Sequence, residues 1–189
     1  MRTRALMLML IAGLMAPLPA LAQTRHHAER QPAEGSIAVE GGIGFFVPQD
    51  SAFGTALDLE GHGDFYLTSR LGVRFGVDWT DPSFHRESSD SLRQVRFGGD
   101  VIYNWEGGKW HPFVGAGAGA YFLQNKDANG HAIGQSESKP GFNMGGGVEY
   151  FTGRTVSLKG EARYHVIGTP RTGQDPSGFV FTGGLKKYF

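Results

Sequence analysis

Eight segments of this chain alternate apolar and polar side chains with a period of two, and no other sequence feature restricts the fold as strongly. That period puts successive side chains on opposite faces of a β-strand, whereas an amphipathic helix repeats about every 3.6 residues. The segment LGVRFGVDW (71–79) is the clearest case, because every odd position in it is apolar. The predicted strands are 37–47, 55–67, 71–79, 95–105, 110–122, 142–151, 156–166 and 179–189.

The connections between these strands alternate in length. Residues 68–70, 106–109 and 152–154 form short turns, whereas residues 48–54, 80–91, 124–140 and 168–177 form longer polar loops. Strands of about nine to eleven residues can cross a bilayer when tilted, and short turns at one end with longer loops at the other are typical of up-and-down barrels. The pattern predicts an all-β, eight-stranded antiparallel up-and-down barrel over residues 36–189.

The composition excludes several classes of protein. The chain has 189 residues, no Cys, and equal numbers of basic and acidic residues at 18 each. Without Cys it cannot form a disulfide scaffold or a thiolate metal site. Balanced charge argues against a nucleic-acid binder, which needs a basic surface to meet phosphates. We expect no cofactor, no metal and no catalytic residue.

The first 35 residues differ from the rest of the chain. Arg2 and Arg4 precede a short apolar stretch, and the sequence ALA ends at Ala22, which is the pattern of a secretory signal peptide. We expect residues 1–22 to be this signal peptide, cleaved after Ala22. The polar residues 23–35, which include the pair His26 and His27, are expected to be a flexible arm. No later segment has 18 apolar residues without charge, so a helical membrane protein is excluded.

Alternation alone does not decide which face lies inside, and a soluble barrel of the lipocalin type would put the apolar face there. The polar face, however, mixes acids, bases and many glycines. Glycine weakens a solvated strand, whereas in a narrow lumen it leaves room for long charged neighbours. We therefore predict a lumen ion-pair network of Glu40, Asp58, Glu60, His62, Asp64, Arg74, Asp78, Arg96, Asp100, Glu149, Lys159, Glu161, Arg163, His165 and Lys186.

The aromatic residues of the apolar face support the same orientation, because they collect near the strand ends. Two belts of aromatic residues are typical of proteins that cross a lipid bilayer with strands. The belt at the short turns comprises Phe65, Tyr103, Trp105, Trp110, Tyr150 and Phe189. The belt at the long loops comprises Phe45, Trp79, Phe122, Phe142, Tyr164 and Phe179.

The C-terminal sequence FTGGLKKYF (181–189) resembles the last strand of bacterial outer-membrane proteins. Phe181, Leu185 and Phe189 match the alternating apolar positions of that strand, and with Tyr188 they form the expected assembly signal. Lys187 departs from this pattern, because the third residue from the end is usually apolar or aromatic. The stretches 112–121 and 160–165 resemble strands of the small OmpA/OmpX-type β-barrel family. This resemblance implies a location in the outer membrane, contact with its lipid and lipopolysaccharide, and recognition by the barrel-assembly machinery.

The interior of an eight-stranded barrel is only wide enough to be filled by side chains. We therefore expect a closed, charge-filled lumen and a structural or adhesion-like role, with the arm in the periplasm and the long loops outside. Two alternatives stay open: a narrow porin-like channel, and an enzyme that modifies lipid A. The enzyme would need Ser and His side chains in contact. His165 lies on one face with Glu161 and Ser157, and His85 lies near Ser88 and Ser89 in a loop.

Overall fold

The computed structural model describes residues 32–84, 90–171 and 173–189. These residues form a closed barrel in which each strand pairs with its sequence neighbours and β8 pairs with β1. All eight pairings are antiparallel. The predicted fold is confirmed. The strands are β1 (Ile37–Pro48), β2 (Ala56–Tyr66), β3 (Leu71–Thr80), β4 (Ser91–Asn104), β5 (Trp110–Lys126), β6 (Glu137–Phe151), β7 (Val156–Ile167) and β8 (Gly178–Tyr188).

Three strands extend further toward the long loops than the alternation predicted. β4 begins at Ser91 instead of Val95, β5 ends at Lys126 instead of Phe122, and β6 begins at Glu137 instead of Phe142. Polar residues occupy both faces there, so the hydropathy signal disappears. The pairing nevertheless continues, for example between Leu123 and Glu137 of β5 and β6. The remaining strand ends lie within one residue of the prediction.

Burial in this barrel is the reverse of burial in a soluble protein. Phe75 and Phe142 are 66% and 67% exposed, whereas Arg74 is 1% exposed. Every apolar residue that alternates with the charged ones points away from the lumen. Such a surface suits hydrocarbon, because exposed apolar patches of this extent are rare on soluble monomers. The soluble barrel with an apolar interior is therefore wrong for this chain.

Two small apolar clusters lie inside the lumen, one toward each end. The inner plug, at the short-turn end, consists of Ala38, Tyr66, Ile102, Phe151 and Tyr188. The outer plug, at the long-loop end, consists of Phe53, Leu92, Tyr121, Leu123 and Ile167, with Ala52 and Phe84 packed against it. Two long loops contribute to the outer plug through Phe53 and Phe84, which pair in an isolated bridge. Charged side chains fill the space between the plugs.

The predicted aromatic belts lie on the outer wall of the barrel. None of their twelve residues is buried, and ring contacts link neighbours such as Tyr103 with Trp105 and Trp110 with Tyr150. No helix in the described part of the chain is long and apolar enough to cross a membrane.

Several sequence predictions concern residues outside the described ranges. These are the signal peptide, His26 and His27, and the loop residues His85, Ser88 and Ser89. Of the predicted arm, residues 32–35 are described. They end in a turn at Gly35, whose positive φ of 79° suits glycine, and the Gly35 N–H donates to the Tyr66 carbonyl oxygen at 2.8 Å. The end of this segment is therefore hydrogen-bonded to the short-turn end of the barrel.

Candidate functional site in the barrel lumen

The lumen contains all fifteen side chains that the sequence predicted there, and each of them is buried. Within the described residues, eight buried carboxylates face five buried Lys and Arg side chains and the imidazoles of His62 and His165. They come from seven of the eight strands. Buried charges are costly unless they are paired, so the geometry of the pairs decides what the lumen can do.

Arg74 joins its own strand, β3, to three other strands near the middle of the lumen. Its Nε donates to Asp64 Oδ1 at 2.9 Å, and its Nη1 donates to Glu161 Oε2 at 3.1 Å. Its Nη2 lies 3.5 Å from Glu40 Oε2. The planar guanidinium suits this task, because it offers five N–H donors in a fixed arrangement. One cation therefore contacts three carboxylates.

Lys159 lies beside Arg74 and contacts a second set of acids. Its Nζ bonds Glu40 and lies 3.2 Å from Glu60 Oε1 and 2.6 Å from Glu161 Oε2. Glu40, Glu60 and His62 are close enough together to suggest a metal site. The Lys159 ammonium is already within ion-pair distance of two members of that group. The donor set therefore fits an internal ammonium and does not fit a metal ion.

A second group of charges lies nearer the long loops, around Asp78 and Arg96. Arg96 donates to Asp78 Oδ2 at 2.8 Å and to Asp100 Oδ1 at 2.6 Å. His62 Nε2 lies 2.8 Å from Asp78 Oδ1. Arg163 links this group to Glu161, because its Nη2 donates to Glu161 Oε1 at 2.8 Å and its Nη1 lies 3.8 Å from Asp78 Oδ2.

A third group lies against the inner plug and involves hydroxyls. Lys186 Nζ donates to Glu149 Oε1 at 2.5 Å and lies 2.6 Å from Asp64 Oδ2. It also donates to Tyr66 Oη at 2.8 Å. The Tyr188 hydroxyl donates to Glu149 Oε2 at 2.5 Å. The inner plug and the ion pairs are therefore bonded to each other.

The sequence predictions missed the uncharged members of the network. Tyr66, Ser157 and Asn143 donate to or accept from its charged groups, since Ser157 Oγ donates to Glu149 at 3.1 Å and Asn143 Nδ2 to Asp100 at 2.9 Å. Their positions on the polar face of each strand were the available signal. Tyr188 was predicted on the polar face of the last strand and as part of the assembly signal, but not as a member of the network; its side chain lies inside the lumen and is 1% exposed. Phe181, Leu185 and Phe189 of that signal point outward.

Two of the predicted network residues lack an ion-pair partner among the described residues. Asp58 has no Lys, Arg or His nitrogen within 4.0 Å in the described part of the chain, unlike the other seven buried carboxylates. His165 is instead held by a hydroxyl, since its Nδ1 lies 2.8 Å from Tyr121 Oη. Its separation from Glu161 on the strand agrees with this arrangement, because residues four apart on one face lie about 13 Å apart.

Glycines on the inner face make this dense network sterically feasible. A Cβ atom added at Gly42 would lie 2.6 Å from Glu60 Oε1, and one added at Gly98 would lie 2.6 Å from Arg96 Nη2. Added Cβ atoms at Gly76 and Gly117 would collide with His62 and Asp100. These positions accept no side chain while their charged neighbours keep their places.

The described parts of the long loops lie together at one end of the barrel. In the loop between β5 and β6, the backbone N–H groups of His131 and Asn129 donate to Asp127 Oδ1 at 2.8 and 2.9 Å. These bonds favour the ionised form and lower the pKa of the Asp127 carboxyl. Ile133 of the same loop is 45% exposed. This loop therefore presents an ordered turn with a carboxylate and an apolar side chain to its surroundings.

Comparison with known proteins agrees with this architecture. The family model described as outer membrane protein beta-barrel domain matches residues 8–189. A comparison with curated protein sequences finds no match.

Three solved structures illustrate the structural likeness. Neisserial surface protein A has a TM-score of 0.66 and 18% identity, over 84% of this chain and 100% of that one. The N-terminal β-barrel domain of Pseudomonas aeruginosa OprF has a TM-score of 0.58 and 16% identity, over 84% of this chain and 100% of that one. Ail, the attachment invasion locus protein of Yersinia pestis, has a TM-score of 0.59 and 13% identity, over 82% of this chain and 99% of that one. At these identities the likeness establishes the fold.

Proposed function

The chain belongs to the outer membrane protein beta-barrel domain family, and from this premise we propose that it is an integral outer-membrane protein with a closed lumen that acts through its surface. On this proposal, the signal peptide directs export and is cleaved after Ala22, and residues 23–35 lie in the periplasm. The barrel-assembly machinery reads the C-terminal strand. The outer wall contacts membrane lipid and lipopolysaccharide, and the four long loops face the exterior.

The observation that carries the closed lumen is the order of its contents along the barrel axis. The outer plug, the three charged groups and the inner plug follow one another. Ion pairs and hydrogen bonds connect the charged groups with one another and with the inner plug, and Tyr121 of the outer plug contacts His165. The lumen cavity beneath the outer plug has a volume of only about 20 Å³. A solute that crossed this barrel would have to separate many paired charges in a medium of low dielectric constant. The geometry therefore favours a closed barrel over a channel.

We predict that the purified protein does not make vesicles permeable to sugars. Liposomes containing it should swell in an isosmotic arabinose solution no faster than protein-free liposomes, because the plugs and ion pairs fill the interior. The measurement is the initial rate of light-scattering change, with a large porin in the same lipid as positive control. Swelling that rises with the amount of protein would refute the closed lumen and favour the porin-like alternative.

The proposal of surface contact rests on the loops. Loops on a rigid scaffold are the usual place for variable binding functions. Ail, whose name describes attachment and invasion, has also been solved in complex with the heparin analogue sucrose octasulfate. With that structural neighbour as support, we propose that the long loops contact an extracellular surface. We assign this contact to the β5–β6 loop, residues 127–136, because it joins the two longest strands of the barrel.

A loop replacement tests this surface role. In the variant, Asn-Gly replaces residues 127–136, so that residues 124–126 and the Asn-Gly pair form a short loop between the paired residues Leu123 and Glu137. We expect cells expressing the natural chain to adhere to immobilised heparin or to an epithelial layer above the vector level. The loop variant should lose that excess adhesion. Arg154→Ala, in a short turn at the opposite end, is the matched control and should adhere normally.

The result is interpreted at equal amounts of folded protein in the outer membrane, measured by the heat-dependent gel shift. Equal adhesion by the loop variant and the natural chain, or no adhesion by either, would contradict the surface role.

We propose no catalytic role, because His165 contacts a Tyr hydroxyl inside the sealed lumen instead of a Ser at the rim. A change in the acylation of lipid A in expressing cells, seen by mass spectrometry, would favour the enzyme alternative.

A further inference from the structure

Asp58 on β2 is the exception among the buried carboxylates of the described residues. It is 2% exposed, its Oδ1 has no hydrogen-bond partner among the described residues, and no cationic nitrogen lies within ion-pair distance. An unpaired polar group at this depth is costly, because it has lost its hydration and gained nothing in return. Its neighbours in the sheet are Gly44 and Thr80, and neither offers it a donor: Gly44 has no side chain, and the Thr80 hydroxyl donates to the Leu57 carbonyl at 2.8 Å.

The carboxylate lines a cavity directly beneath the outer plug. The cavity has a volume of about 20 Å³, and the plug residues Tyr121 and Ile167 form part of its wall. Two further unpartnered atoms belong to residues that line it, namely Gln94 Nε2 and Arg96 Nε. Both residues are at least 95% buried. Three residues that line this small space therefore carry one acceptor and two donors without partners among the described residues.

The chemistry of these three atoms selects the occupant. The two N–H groups need an acceptor, which a metal cation cannot provide, and the Asp58 oxygen needs a donor, which a simple anion cannot provide. Asp78 also lines the cavity and disfavours an anion. Water both accepts and donates, and a buried water typically makes about three hydrogen bonds. A space of about 10–15 Å³ suffices for one water.

We propose that this cavity binds one ordered water molecule, which accepts hydrogen bonds from Gln94 and Arg96 and donates one to Asp58. The water would connect Asp58 to the Arg96 guanidinium and bring this eighth carboxyl group into the network through water-mediated hydrogen bonds. We expect this water to stay bound for a long time, and that expectation rests on the proposed closed lumen. A water molecule enclosed between the two plugs exchanges with solvent only when one of the plugs opens.

Solution NMR of the folded barrel in lipid nanodiscs tests the site. The rotating-frame Overhauser spectrum of the natural chain should show a cross-peak between water and the Gln94 side-chain amide, a group too buried to meet bulk solvent. Asp58→Leu fills the cavity with carbon and should abolish the cross-peak. Asp58→Asn keeps an acceptor oxygen in place and should retain it. Tyr121→Phe removes a hydroxyl proton that could relay exchange, and it should also retain the cross-peak.

Three NMR results would overturn the assignment. They are the absence of the cross-peak in the folded natural chain, its persistence in folded Asp58→Leu, and its loss in Tyr121→Phe. A melting temperature that falls when N-methylglucamine replaces sodium, in the natural chain but not in Asp58→Asn, would assign the cavity to a cation and also overturn it. The swelling assay reports separately on the closed lumen, because a leaky barrel can still bind this water.

Discussion

Replacement of Arg74 by methionine is expected to lower the free energy of unfolding by about 3–5 kcal/mol, the usual effect of removing one partner from a buried ion pair. Arg74 is 1% exposed and contacts Asp64, Glu40 and Glu161. Methionine fills much of the same volume but leaves these carboxylates with less positive charge. The measurement is a urea titration in lipid vesicles, followed by tryptophan fluorescence and by the heat-dependent gel shift.

Arg93→Met is the matched control for this experiment. Arg93 lies on the outward face of β4 and pairs with Asp81 at 3.3 Å, but its side chain is 38% exposed. Exposed ion pairs contribute about 0–1 kcal/mol to stability, so this variant should unfold at nearly the same urea concentration as the natural chain. Arg74→Lys keeps the charge but loses the planar guanidinium. Its free energy of unfolding should lie between those of Arg74→Met and Arg93→Met. If Arg74→Met and Arg93→Met unfold at the same urea concentration, the lumen network does not stabilise the barrel as we propose.

The sequence predicts the faces of the strands well because the period of a strand is two. A shift of one residue would move every side chain to the opposite face, so the buried face of each strand is strongly specified. Arg74 and Lys186 lie on the inner face for this reason alone. The fold and the location of the charged residues therefore follow from alternation, turn lengths and strand count.

The contacts inside the lumen do not follow from the same pattern. Arg74 and Glu161 are 87 residues apart, and their bond depends on the register of several consecutive pairings and on the curvature of the closed barrel. The outer plug depends on Phe53, a loop residue with no strand periodicity. Tyr188 has two possible interpretations, as part of a C-terminal signal or as an inner-face residue, and only the closed barrel shows its contact with Glu149.

Replacement of Lys186 by methionine is the second substitution with a large expected effect, because Lys186 lies beside the seam where the barrel closes. It is a β8 residue that pairs with Glu40 of β1, and its ammonium contacts Asp64 of β2 and Glu149 of β6. The side chain therefore connects the last strand to strands on both sides of the seam. Its loss leaves two buried carboxylates without this partner, so we expect a decrease of about 3–5 kcal/mol in the free energy of unfolding. The gel shift should occur at a lower temperature.

Lys187→Met separates this effect from a general requirement for positive charge in the last strand. Lys187 is adjacent in sequence but points outward, is exposed, and donates to Thr155 Oγ1 at 2.7 Å. Methionine there also restores an apolar residue at the position where the chain departs from the usual C-terminal pattern. We expect Lys187→Met to unfold like the natural chain and to assemble at least as efficiently in cells. Equal destabilisation by the two substitutions would mean that the inward ammonium has no special role, and the seam would then depend on backbone pairing between β1 and β8 alone.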